Sequence, residues 1–171
     1  MTTEAPEITR AKDQFERSVA VSIASMAVVL AFIGDRADDA KTEALLRTTE
    51  ATNAWSYFQA KSTKQHVTES ALDQLEVLEP NGSEAARAKL KADVARYEHE
   101  KNEIREKAEA LAGQASEARL VDERAGQGGL LLQLAIVLAS VSILARWTKL
   151  WMLSLMVAVI GASVGISSWL M

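Results

Sequence analysis

The side chains best suited to metal or acid–base chemistry are His66 and His99, the only two histidines, with Glu69, Glu98, Glu100 and Glu103 close by in sequence. Imidazole and carboxylate together can bind zinc. The same residues also suit a solvated helix surface, and that reading is preferred. Nucleophilic chemistry has no foothold. There is no Cys, no glycine-rich phosphate loop, no Gly-x-Ser-x-Gly elbow and no His-Glu-x-x-His. The expectation is a chain that is not an enzyme and carries no metal and no cofactor.

The polar groups of the long apolar stretches are Gln133, read as the most polar buried side chain there, and the hydroxyls of Ser140, Ser142, Ser154, Ser163, Ser167 and Ser168. These hydroxyls could line a pore, bond between helices or bond back to their own backbone; packing is the preferred reading. Those stretches hold no ionisable group, which argues against a proton relay or ion path.

Contact chemistry has clearer signals. Gly161 and Gly165 form a GxxxG motif, and Ala158 and Ala162 extend its small face. Small residues four apart let helix backbones approach. The densest aromatic cluster in the polar part is Trp55, Tyr57 and Phe58, followed by Gln59 and Lys61. Phe58 falls on an apolar heptad series; Trp55 and Tyr57 then point to its flanks. Exposed aromatics on a thin helical stalk point to protein contact. The alternative for Trp55 is local packing near Ala108 and Leu111.

The same stretch carries a resemblance. Asn53, Trp55, Gln59, Ala60, Lys61 and Ser62 match an Asn-x-Trp-x-x-x-Gln-Ala-Lys-Ser pattern. With an amino-terminal span, a polar helical region and a closing pair of spans, the chain resembles the bacterial membrane family called domain of unknown function 4337. The resemblance covers nearly the whole chain. It implies a bacterial membrane protein and lends no activity.

These residues are positioned by elements that the charge pattern separates. Residues 18–34, 126–145 and 150–171 make 59 positions without charge, and the other 112 carry all 42 charges. The mean hydropathy of +0.00 averages two unlike populations. About 20 apolar residues in a helix cross a bilayer core, with a range of about 17–25. The expected fold is an all-α membrane protein with three transmembrane helices, at 18–34, 126–145 and 150–171. Residues 1–17 read as an amphipathic helix, on the membrane surface or as an extension of the first span, with Ile8, Ala11, Phe15 and Val19 at helical spacing. Residues 146–149 read as a tight loop. Trp147, Trp151 and Trp169, with Arg146 and Lys149, are the expected membrane-interface anchors.

Residues 35–125 hold 14 Lys/Arg and 19 Asp/Glu in a strongly helix-forming composition. Pro80, Asn81, Gly82 and Ser83 break them near the middle, so the region reads as a long antiparallel helical, coiled-coil hairpin with its turn at 80–83. Its height would be roughly 65 Å. Leu72–Leu90, Gln65–Tyr97, Phe58–Ile104, Ala51–Leu111 and Ala44–Ala118 share one register, each pair summing to 162. That register sets Lys61 against Lys101, and both are expected to snorkel outward. Gly113, Gly126, Gly128 and Gly129 in the second arm suit either a flexible joint or close packing.

Cation placement sets the expected orientation. Arg10, Lys12 and Arg17 precede the first span, the tight loop holds Arg146 and Lys149, and Asp35, Asp38 and Asp39 follow the first span. The chain is therefore placed in a bacterial inner membrane, with its amino terminus cytoplasmic and the hairpin and carboxyl terminus periplasmic. A net charge of −4 without a dense basic patch excludes nucleic acid. The function expected is a non-enzymatic membrane scaffold in contact with lipid. It would self-associate as a homo-oligomer through the small-residue spans and the stalk. The alternative is an accessory subunit of a larger respiratory or transport complex, with channel activity a distant third.

Overall fold

The computed structural model describes the backbone of residues 5–78 and 84–170, and side chains from residue 13 onward within those ranges. The expected turn at 80–83 and the side chains of Ile8 and Ala11 lie outside the described residues. Three helices account for nearly all the rest: α1 (Ala5–Leu78), α2 (Glu84–Ala145) and α3 (Thr148–Ser167). All three are long and apolar enough to cross a membrane.

The amino-terminal tail, the first apolar block and the first polar arm form one uninterrupted α1 of 74 residues. Pro6 falls in its first turn, where a missing N–H costs nothing. Gly34 is its only glycine, so nothing in the interior breaks the ladder. In α2 the ladder runs through Gly113, Gly126, Gly128 and Gly129 without interruption.

The connection between α2 and α3 is shorter than the sequence suggests. Only Arg146 and Trp147 lie outside helix; Thr148 and Lys149 already belong to α3. Arg146 has φ 51°, the only non-glycine residue with positive φ among the described residues. The Trp147 N–H donates to the Ser142 carbonyl at 3.1 Å and the Arg146 N–H to Ile143 at 3.3 Å. This is a Schellman cap, with arginine at the left-handed position that glycine usually fills.

The chain divides into two compact units: Met1–Thr42 with Ala118–Met171, and Glu43–Glu117. In the first, burial recurs at heptad spacing on every helix. It falls on Val19, Met26, Ile33 and Ala40 of α1, and on Ala118, Val121, Ala125, Gly128, Leu132, Ala135, Ala139 and Ser142 of α2. On α3 it falls on Ser154, Ala158, Gly161 and Gly165, and just past its end on the cap residue Ser168. The seam is made mostly of Ala, Gly and Ser, so the backbones can approach closely. Phe15 meets Trp151 edge to face at 5.8 Å, while Ile33 packs on Gly165. The first apolar block of α1 therefore runs alongside α3 in the same direction, and α2 runs counter to both.

In the second unit Ala44, Ala51 and Gln65 of α1 and Ala108 and Ala115 of α2 are buried. Phe58, Leu72, Leu90, Tyr97, Ile104 and Leu111 are half-buried. Ala44, Ala51, Gln65 and the six half-buried residues are heptad positions of the sequence register, whereas Ala108 and Ala115 fall on the neighbouring series through Lys101. They are thinly covered, because Ala and one Gln supply most of the buried positions.

Candidate functional site

Two places bring side chains together in ways that the helices alone do not require. One is a polar layer in Glu43–Glu117, the other a glycine contact among the apolar blocks.

The polar layer centres on Gln65, which is 7% exposed. Its Nε2 donates to Glu69 at 2.9 Å on the same helix, and its Oε1 accepts from Lys101 Nζ at 2.9 Å on α2. Both ends of the amide are thus satisfied, as a buried amide requires. Next to it, Lys61 pairs with Glu100 across the helices. Its side chain is only 14% exposed, and Nζ stands 5.4 Å from the Tyr57 ring centre and 5.5 Å from that of Tyr97. Lys91 approaches Glu76 at 3.6 Å further along.

The outward snorkelling expected of Lys61 and Lys101 is corrected here. Both ammonium groups are held within the layer, because Glu100 and Gln65 offer acceptors at the right height. Hydrogen bonding to Glu100 raises the Lys61 pKa above its ordinary 10.5. The same bond holds the Glu100 carboxyl below its ordinary 4.5. Glu69 is also held low, first by the hydrogen bond from Gln65 and then by His66.

The aromatic cluster beside this layer divides. Trp55 packs edge to face on Phe58 at 5.5 Å and remains 36% exposed. Tyr57 is 55% exposed and flanks two shallow grooves, one shared with Ile104 and Leu111 and the other with Glu100 and Glu103. Gln59 is exposed. Nearly every large apolar side chain left exposed in this unit lies on α1: Leu45, Leu46, Val67, Val77 and Leu78 join Trp55 and Tyr57.

Each histidine faces a carboxylate of its own helix. His66 Nδ1 is 3.1 Å from Glu69, and His99 Nδ1 is 3.5 Å from Glu103, each partner on its own helix. Among the described residues no three His, Cys, Asp or Glu side chains gather in a metal-holding group.

The glycine contact joins α2 and α3. A Cβ on Gly128 would stand 2.5 Å from Gly165 Cα and 2.8 Å from the Gly161 carbonyl oxygen. A Cβ on Gly161 would stand 2.8 Å from Leu131 Cβ, and one on Gly165 would collide with Ile33. Gly161 and Gly165 thus face helices of their own chain. Their partner Gly128 is not singled out as a contact in the sequence, where it is one of three glycines within four residues. Gly113 and Gly126 have open space around the Cβ position, and Gly129 only ordinary contact with Leu30. The choice between joint and packing therefore resolves to packing for Gly128.

The hydroxyls of this unit turn inward on their own helices. Ser142, Ser154 and Ser168, all fully buried, donate to the carbonyls of Ala139, Trp151 and Gly165 at 2.6–2.7 Å. Ser140, Ser163 and Ser167 do likewise to Ile136, Val159 and Val164. Gln133, expected to be buried, is exposed instead. It sits one residue past the seam position Leu132, so its side chain leaves the contact. Of the interface candidates, Trp147 and Trp169 are more than half exposed and Arg146 and Lys149 are exposed. Trp151 is half-buried against Phe15, with no partner for its indole N–H.

A family model described as "Domain of unknown function (DUF4337)" matches residues 15–171. No curated protein and no solved structure matches the chain.

Proposed function

The chain belongs to the DUF4337 family, and we propose that it is a non-enzymatic scaffold of the bacterial inner membrane that self-associates. In this reading the three apolar blocks cross the bilayer. Residues 35–125 form an antiparallel coiled-coil hairpin outside it, and the stalk carries the contact with further copies.

One observation carries the reading. In the unit Glu43–Glu117 the exposed large apolar side chains lie on α1, while α2 presents charge. Leu46 and Val67 lie three heptads apart on the side of α1 opposite Ala51 and Gln65. A solvated stalk would have no reason to be apolar on one helix only; a covering partner gives one. Glu76, further along α1 than Lys61 and Gln65, meets Lys91, an earlier position on α2 than Glu100 and Lys101, and that order supports the antiparallel register. The Phe15–Trp151 contact supports the topology. It sets the stretch of α1 that leads into the first apolar block, where Arg10, Lys12 and Arg17 lie in sequence, beside the start of α3 that follows Arg146. Both cation clusters then share one face, the cytoplasmic one by the positive-inside rule.

Capture of two differently tagged full-length copies from native membranes tests the reading. Co-capture of the second tag supports it. Capture of one foreign protein in fixed ratio without the second tag overturns self-association in favour of an accessory-subunit role.

A further inference from the structure

From the placement of Gln133 we infer that the outward side of α2 is a dimer contact between two copies of this chain, with Gln133 paired to its own counterpart. The inference rests on the membrane reading above and names the contact within the bilayer.

Gln133 lies within about 4 Å of the middle of the block 126–145, taking 1.5 Å per residue. With a hydrocarbon core of about 30 Å, the nearest interface is roughly 11 Å away, beyond the reach of a glutamine side chain. The residue is exposed and makes no hydrogen bond among the described residues. It differs in this from every neighbour that could share its problem. The serines are satisfied by their own backbone. Gln127 stands at the edge of the block, within reach of headgroups and water. An amide left bare in hydrocarbon costs several kcal/mol.

The surrounding surface has the form of a second seam. Gly126, Leu130, Gln133, Val137, Ser140 and Leu144 follow one another at spacings of four and three residues. All but the half-exposed Gly126 are exposed. The inner seam of the same helix, through Ala125, Leu132 and Ala139, is already filled. Gly126 and Ser140 stand one heptad to either side of Gln133, so a facing helix can approach closely at the amide. Apart from its own helix backbone, no described residue comes within 4 Å of the Cβ position at Gly126.

A second copy is the occupant that this chemistry selects. A primary amide donates through its NH2 and accepts through its carbonyl. Two copies related by a two-fold axis along the membrane normal bring the same amide to the same depth, where each donates to the other. A lipid headgroup cannot reach that depth, and acyl chains offer no acceptor.

The absence of cysteine makes the test direct. Full-length Val137→Cys in native membranes should cross-link to a dimer on oxidation. Met156→Cys, on an exposed face of α3, should remain monomeric on the same gel. Gln133→Leu should weaken dimerisation in lipid by roughly 5- to 30-fold, the range of one interhelical polar pair in membranes, and Gln133→Asn should restore much of it. Protein that oligomerises in bilayers without cross-linking at 137, and is indifferent to Gln133→Leu, would overturn this contact and leave the scaffold reading standing. Protein that stays monomeric in bilayers would overturn both. Release from membranes by alkaline carbonate would overturn the membrane reading on which both depend.

Discussion

Gly128 of α2 and Gly165 of α3 meet so closely that a methyl group on Gly128 would lie 2.5 Å from the Gly165 Cα. Nothing can shift cheaply there, because the opposing atoms are backbone. Gly128→Ala should therefore push α2 from α3 and lower stability by about 1–3 kcal/mol. Gly113→Ala is the contrast. Its Cβ would meet open space in an unbroken helix, and the change should stabilise by about 0.5–1 kcal/mol. Thermal unfolding of the two variants in one mild detergent should move in opposite directions. Equal shifts would contradict the packing role given to Gly128.

Arg146 should behave as a strained cap. Its φ of 51° lies in the left-handed region, which costs a non-glycine residue about 1–2 kcal/mol. Arg146→Gly should raise the melting temperature and Arg146→Ile should lower it. In the proposed topology the glycine variant also removes one of the cations that set orientation, so a reporter at the carboxyl terminus should show weaker control of orientation, although the fold is more stable.

The Lys61–Glu100 pair sets a pH window for the polar unit. Glu100 and Glu69 are held below their ordinary 4.5, so what they contribute is present above that value and lost as pH falls through their lowered pKa values. Lys61 is raised above 10.5, so its share is present below that value and lost as pH rises through the raised pKa. Helical signal followed on heating should fall off on acidification below 4.5. In Glu100→Gln the acid-side loss should be smaller, with a lower plateau at neutral pH. An identical acid profile in wild type and variant would remove the pair from the account.

Much of the architecture is legible because lipid and water demand different residues. The uncharged blocks at 18–34 and 126–145, and the part of the block 150–171 up to Ser167, fall in helices long and apolar enough to cross a membrane. The heptad series through Gln65 and Tyr97 falls on buried or half-buried positions, but the most buried α2 positions of the polar unit, Ala108 and Ala115, lie on the series beside it. Other features are hidden for identifiable reasons. The change from uncharged to charged sequence at Asp35 looks like an element boundary, yet helix propensity does not change there and α1 continues. A register assigns Lys61 and Lys101 to one layer, but only side-chain direction reveals that Glu100 and Gln65 receive them. Gly126, Gly128 and Gly129 are equivalent as letters; only rotation about the helix axis selects Gly128. Arginine at a left-handed cap carries no sequence signal, since glycine or asparagine is the residue that marks one.

Trp55 and Tyr57 should matter for association rather than for folding. Trp55 leans on Phe58 and Tyr57 is more than half exposed, so neither fills the seam. The double change Trp55→Ser and Tyr57→Ser should reduce the oligomer while leaving the helical signal at neutral pH nearly unchanged. A loss of helix in proportion to the loss of oligomer would assign these side chains to the hairpin itself.

In the proposed scaffold, copies of this chain complete a stalk whose own seam is thin. Its most direct test is the mass of the full-length protein in lipid nanodiscs or mild detergent, corrected for bound lipid or detergent, over a wide dilution range. Self-association gives an integral multiple of the 18.6 kDa chain that falls when Trp55 and Tyr57 are replaced. A single 18.6 kDa species at every concentration, in wild type and variant alike, would contradict it.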